Sequence, residues 1–126
     1  MLLTKAGGGR RYIGLEYGAL AMTDRILRRW AGTIHTRDAQ AYRDYISSTG
    51  GADYTATPGN LGYRMLMRDL GDGTTEVVTE SIWVSLEAIK AFAGEAIAVA
   101  RYYPKDDEFL LDRPPYVAHY RIVDEA

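Results

Sequence analysis

The chain has 126 residues, 47% of them apolar and 25% charged, with a formal net charge of −2, the make-up of one soluble globular domain with a real core. That charge gives no reason to expect nucleic acid or an anionic membrane as partner, and no apolar run approaches the ~20 residues of a membrane span. Cysteine is absent, which excludes disulfides, thiolate nucleophiles and sulfur-ligated metals and fits a reducing cytoplasm, the expected location.

Residues 1–23 read differently from the rest. Gly7-Gly8-Gly9 followed by Arg10-Arg11 cannot begin a regular element cheaply. The apolar stretch 12–21 is broken by Gly14, Glu16 and Gly18, and Glu16 argues against a secretory signal. This segment is expected to be an N-terminal extension or an over-long start, with the domain proper covering residues 24–126.

From there the elements come in a clear order. Residues 26–34 are strand-like and contain Trp30. Thr36 is placed to cap a helix over 36–49, with Ala39, Tyr42, Tyr45 and Ile46 as its apolar stripe, Asp38 in its first turn and Gly50-Gly51 as its stop. A loop with the turn signal Pro58-Gly59-Asn60 follows. Strands over 61–70 and 74–84 are joined by Gly71-Asp72-Gly73, a hairpin loop by composition. Ser85 then offers an N-cap oxygen and Glu87 a first-turn negative charge. Leu86, Ile89, Phe92 and Ala93 recur at helical spacing, and Gly94 ends the run. A further helix is expected over 95–103, closed by Pro104, then a loop over 105–115 with the apolar plug Phe109-Leu110-Leu111. The last strand is expected over 116–123.

Two βαβ-like halves around a hairpin predict a ferredoxin-like α+β sandwich, βαββαβ, with an antiparallel sheet and both helices on one face. In the last strand Val117, His119 and Arg121 share one face. Arg64 and Arg68 share a face of the second strand, where Glu80 is a cross-strand partner. Neither face of the sheet is fully polar, so the side away from the helices is expected to meet a second copy, giving a homodimer.

The strand ending in Trp83, then Ser85, Glu87-Ala88 and Phe92, resembles the core motif of the antibiotic biosynthesis monooxygenase-like family of the dimeric α/β-barrel superfamily. Ala91-Phe92-Ala93-Gly94, Arg101-Tyr102-Tyr103-Pro104 with Asp106-Asp107, Leu110-Leu111 and His119-Tyr120 look like one mostly uncharacterised branch of it. The resemblance implies a dimeric barrel of paired sheets with a small cavity between sheet and helices in each subunit. Some members oxidise electron-rich aromatic compounds such as anthrones with dioxygen, using neither metal nor flavin; others degrade haem. The haem-degrading members use a tryptophan where Trp83 stands, a histidine on the following helix and an asparagine in the first strand. Here that helix has no histidine and the first strand no asparagine, which disfavours haem; no cofactor or metal is expected.

Several residues can be assigned roles under this resemblance. Trp83 and Trp30 would be walls for a flat aromatic ligand, Phe92, Tyr102 and Tyr103 further contacts, and His119 the base that removes a substrate proton, with His35 a second candidate. Each has a plainer reading: large aromatics usually pack the core, a tyrosine pair before a proline anchors a loop, and His35 lies at a strand-to-helix junction where exposure or capping is usual. Asp106-Asp107 reads as a solvated loop or a helix end. Gly7-Gly8-Gly9 lacks the preceding strand of a nucleotide loop, and no nucleophile elbow, zinc motif or dinucleotide fingerprint occurs in the chain. The expected function is a cofactor-independent monooxygenase-like enzyme acting on an aromatic or polycyclic small molecule. The alternative is a non-catalytic dimeric module that binds a small ligand or another protein.

Overall fold

The computed structural model describes residues 24–126; the expected extension over 1–23 lies outside the described residues. Four strands, β1 (Ile26–His35), β2 (Asn60–Asp69), β3 (Thr74–Trp83) and β4 (Ala118–Arg121), form one sheet in the order β2-β3-β1-β4, with every pairing antiparallel. The helices α1 (Ala39–Ser48), α2 (Gly50–Ala56), α3 (Leu86–Ala93) and the single turn α4 (Asp106–Phe109) complete the fold. This is the ferredoxin-like α+β arrangement the element order predicts.

Strand parity decides what is buried. In β1 the even-numbered residues Ile26, Arg28, Trp30 and Ile34 are buried, whereas the odd-numbered ones are only partly covered. Through the register Arg28↔Ser81 and Trp30↔Thr79, the same face of β3 carries Val77, Thr79, Ser81 and Trp83, as period-2 alternation requires. On the opposite face Arg64 pairs with Glu80 at 2.7 Å and Arg68 with Glu76 at 2.9 Å, the cross-strand pairing expected of them.

Two apolar clusters fill the helix side. Ile26, Tyr54, Trp83, Leu86, Ile89, Phe92 and Ile97 form one; Trp30, Ile34, Tyr42, Ile46, Val77 and Ala100 form the other. α3 is built as its sequence predicts. Ser85 Oγ accepts the Ala88 N–H at 3.1 Å, Leu86, Ile89 and Phe92 are buried, and Gly94 ends the helix at φ 81°. Another glycine is required by close approach: Gly59 sits at φ 93°, where a Cβ would lie 2.5 Å from the Ala88 Cβ.

Three expectations are corrected. Gly50-Gly51 does not end the helical region: the chain kinks at Thr49 (φ −116°, ψ −91°) and continues as α2. Both glycines are buried there, and a Cβ on Gly51 would stand 2.9 Å from the Tyr63 ring, so tight packing selects Gly51 and outweighs its poor helix propensity. Thr36 caps no helix, because its hydroxyl is bonded to Thr75 Oγ1 at 2.8 Å, and a 3-10 turn over Thr36–Asp38 intervenes before α1. Residues 95–103 are not a helix. Their backbone bonds run to distant chain, Ala100 N–H to Pro115 O and Val117 N–H to Ala98 O, both at 2.8 Å. The helical turn lies instead at α4, inside the expected loop. Of the apolar plug there, Phe109 and Leu110 pack on the second cluster and Leu111 stays exposed.

Candidate active site

A cavity opens where the two apolar clusters meet, between the helix face of the sheet, α1, α2 and the segment around residue 101. Trp30, Tyr54, Phe92, Tyr102 and Val117 give it apolar walls, and Arg28, Thr79, Tyr42, Arg101, Tyr103 and Asp106 give it polar groups. Its volume is about 40 Å³, room for a water or two; a ring-sized ligand requires side chains at its rim to swing away.

Arg28 is the floor. It is 2% exposed, an uncommon state for an arginine, and it is held by its surroundings. Its Nη1 donates to Ile97 O at 2.5 Å and contacts His119 Nε2 at 3.0 Å, and its Nη2 donates to Val99 O at 3.4 Å. A guanidinium has donors only, so Nε2 of His119 must accept and the imidazole proton is on Nδ1. Burial, then the neighbouring Arg28 charge, pushes His119 down to about 3, so the ring is neutral near pH 7.

Polar pairs line the side walls. Trp30 Nε1 donates to Tyr102 Oη at 3.1 Å, and Tyr102 in turn donates to Pro114 O. Asp106, 2% exposed, accepts the Tyr42 hydroxyl at 3.2 Å and the Tyr103 N–H at 2.6 Å. Burial is the main cause of the raised pKa of Tyr42, Tyr102 and Tyr103 alike, so all three hydroxyls stay protonated. Over the Phe92 ring stand two guanidinium groups, Arg28 at 5.6 Å and Arg101 at 4.9 Å from the centroid, positions that favour cation–π attraction.

The structure brings four of the expected residues together, Trp30, Phe92, Tyr102 and Tyr103. Trp83 is not among them. It is fully buried, its Nε1 donates to Ser81 Oγ at 2.8 Å, and it packs against Tyr54 and Phe92, so the packing reading holds for it and the wall is Trp30. His119 stands one layer behind the cavity, its acceptor nitrogen facing Arg28. His35 pairs with Thr74 at the far end of β1, on the odd-numbered face away from the cavity. Asp106 and Asp107 open α4, the helix-end reading, and Asp106 is a buried acceptor there instead of a solvated loop residue. Arg28, Arg101 and Tyr42 are not among the site residues the sequence suggests. Arg28 had a signal, since an arginine two residues before Trp30 shares its inward face. Among the described residues no cluster of three or more histidine or acidic side chains could hold a metal ion, and no helix is long and apolar enough to cross a membrane.

No family model matches the sequence, and no curated protein does. Solved structures do. The chain is similar to the "Putative antibiotic biosynthesis monooxygenase" of Bacillus cereus at a TM-score of 0.59 and 16% identity, over 82% of this chain and 97% of that one. The protein of the same description from Nitrosomonas europaea gives a TM-score of 0.56 at 13% identity, over 80% and 92%. Rv0793 from Mycobacterium tuberculosis gives 0.52 at 20%, over 81% and 98%. With its four antiparallel strands and cavity-facing helices, the chain has the fold of the antibiotic biosynthesis monooxygenase-like proteins.

Proposed function

We propose that the protein is a monooxygenase-like enzyme acting on a small electron-rich aromatic compound, with the ring between Trp30 and Phe92 and a phenolic or enolic oxygen at Arg28. One observation carries this reading: a buried guanidinium held by Ile97 O, Val99 O and His119 at the floor of an aromatic-walled cavity. An ionising hydroxyl beside a desolvated cation loses its proton more readily, and the anion so formed is the species that reacts with dioxygen. In the balanced reaction the ring carbon ortho or para to the ionised oxygen, a CH2 in the keto tautomer, loses its two hydrogens and becomes a carbonyl. One oxygen atom enters the product and the other leaves as water, the substrate supplying all four electrons. His119 is a positioning residue here. Its acceptor nitrogen is engaged by Arg28, so the substrate proton must leave to water. No role falls to His35. The small volume favours single-ring substrates, polycyclic ones entering only with the rim open. The fold's known representatives support an oxidative function, and the protein is proposed to act in the cytoplasm as a homodimer joined through the open sheet face.

Oxygen uptake with hydroquinone- and anthrone-type compounds tests the reading. Turnover that falls at least tenfold in Arg28→Gln, with folding retained, supports it. The second reading, a ligand-binding module without catalysis, is favoured by one feature: Asp106 already accepts two hydrogen bonds and His119 is held neutral, so neither is poised to take a proton. Binding without oxygen uptake across the panel selects that module.

A further inference from the structure

The rim of the cavity carries an internal carboxylate that holds two donors at once. Asp53 of α2 accepts the Tyr103 hydroxyl on Oδ2 at 2.5 Å, and the same oxygen lies 3.4 Å from Arg101 Nη2. Arg101 and Tyr103 line the cavity; Asp53 does not. Arg101 also spans the Phe92 and Tyr103 rings, 4.9 and 5.1 Å from their centroids, and donates to Phe92 O at 2.8 Å. A backbone bond ties the segment to distant chain at Ala100 N–H to Pro115 O, and a turn bond from Asp106 N–H to Tyr103 O shapes it beyond. Rotation of the Arg101 and Tyr103 side chains would open the rim with these bonds kept.

We propose that Arg101 and Tyr103 form an anion position at the rim, that Asp53 is its built-in occupant, and that an aromatic carboxylate is the ligand class that displaces it. The inference rests on the reading of the cavity as a ligand pocket and adds the second charged group of the ligand. Exchange of one carboxylate for another keeps both donors satisfied while it frees the rim. The cost of the exchange is low, because Asp53 and Arg101 are each 43% exposed and ion pairs in such positions hold weakly. The carboxylate end of the ligand then lies at Arg101 and its ring reaches inward over Phe92 toward Arg28. A carboxylate also suits Arg101 better than a neutral group of equal size, since a planar guanidinium matches it with two parallel donors.

Calorimetric titration of the full chain with benzoate and with phenol, in the wild type, Asp53→Asn and Arg101→Gln, tests this. Asp53→Asn is expected to raise benzoate affinity about threefold to fivefold, the scale of a weak, half-exposed ion pair, and to leave phenol within about twofold. Arg101→Gln is expected to weaken benzoate at least fivefold more than phenol, and it carries the test alone if Asp53→Asn fails to fold. Equal gains for both ligands, or phenol binding with benzoate indifferent to both substitutions, overturn the anion position and leave the pocket standing. Absence of binding by either ligand to folded protein overturns the pocket reading and this inference with it.

Discussion

Arg28 and His119 are direct partners in the antiparallel register of β1 and β4, and their side chains meet at 3.0 Å on the helix side of the sheet. The pairing fixes the imidazole tautomer and anchors a cation on the cavity floor. His119 has its folded pKa depressed to about 3, below the usual 6.5, chiefly by burial. The unfolded chain therefore takes up a proton in that window which the folded chain refuses. The stability contribution is complete above pH 6.5 and declines as pH falls toward 3. Thermal unfolding followed from pH 7 to pH 4 should show this loss in the wild type and a shallower one in His119→Gln. An unchanged slope contradicts the neutral ring. In NMR the His119 ring should show no titration between pH 5 and 8.

The two tryptophans should separate function from stability. Trp83→Ala removes a fully buried ring and is expected to destabilise by about 3–5 kcal/mol in urea unfolding. Trp30→Phe keeps most of the packing, should cost about 1 kcal/mol, and should weaken aromatic ligands severalfold because the wall and the Nε1–Tyr102 bond both change. The reverse ranking would return Trp83 to the site.

At the start of α3, Ser85→Ala should cost about 1 kcal/mol, since it leaves the Ala88 N–H without its acceptor, whereas Ser85→Gly should cost a few tenths. Gly59→Ala should destabilise by more than about 1 kcal/mol, because positive φ and a clash with Ala88 act together. Chemical denaturation of the three variants checks both.

The open sheet face is expected to join two copies. Leu66 on β2, 43% exposed, shares that face with Arg64 and Arg68. Light scattering should give a dimer at micromolar concentration, and Leu66→Asp should shift it to monomer while the circular dichroism of the fold persists. A wild-type monomer at that concentration rejects the paired sheets.

Much of the fold was legible because it depends on nearest neighbours: the alternation along β1 and β3, the glycine hairpin, and the Ser85 cap are all satisfied within a few residues. What escaped depends on partners far along the chain. Residues 95–103 carry helix-forming alanines, yet Ala98 and Ala100 bond to Val117 and Pro115 instead. Gly50 and Gly51 read as a stop until the Tyr63 ring beside Gly51 is known. The site divides in the same way. Trp30 and Trp83 have identical inward parity, and only the positions of Ser81, Tyr54 and Tyr102 decide which indole faces the cavity.

The outer side of β1 is finished by two separate pieces of chain. β4 covers only Ile26 to Arg29, and beyond it Ile34 pairs with Leu110, Leu111 N–H donates to Thr33 O, and Asp112 accepts the Thr33 N–H. The tail of the molecule thus acts as a blunting device, occupying backbone groups that would otherwise template a foreign strand. At the other border β2 presents charged Arg64 and Arg68, which discourage such recruitment. With β1 covered at both its ends and charges standing on β2, strand addition finds little purchase at these two places, and the apolar sheet face is left as the surface the proposed homodimer would use.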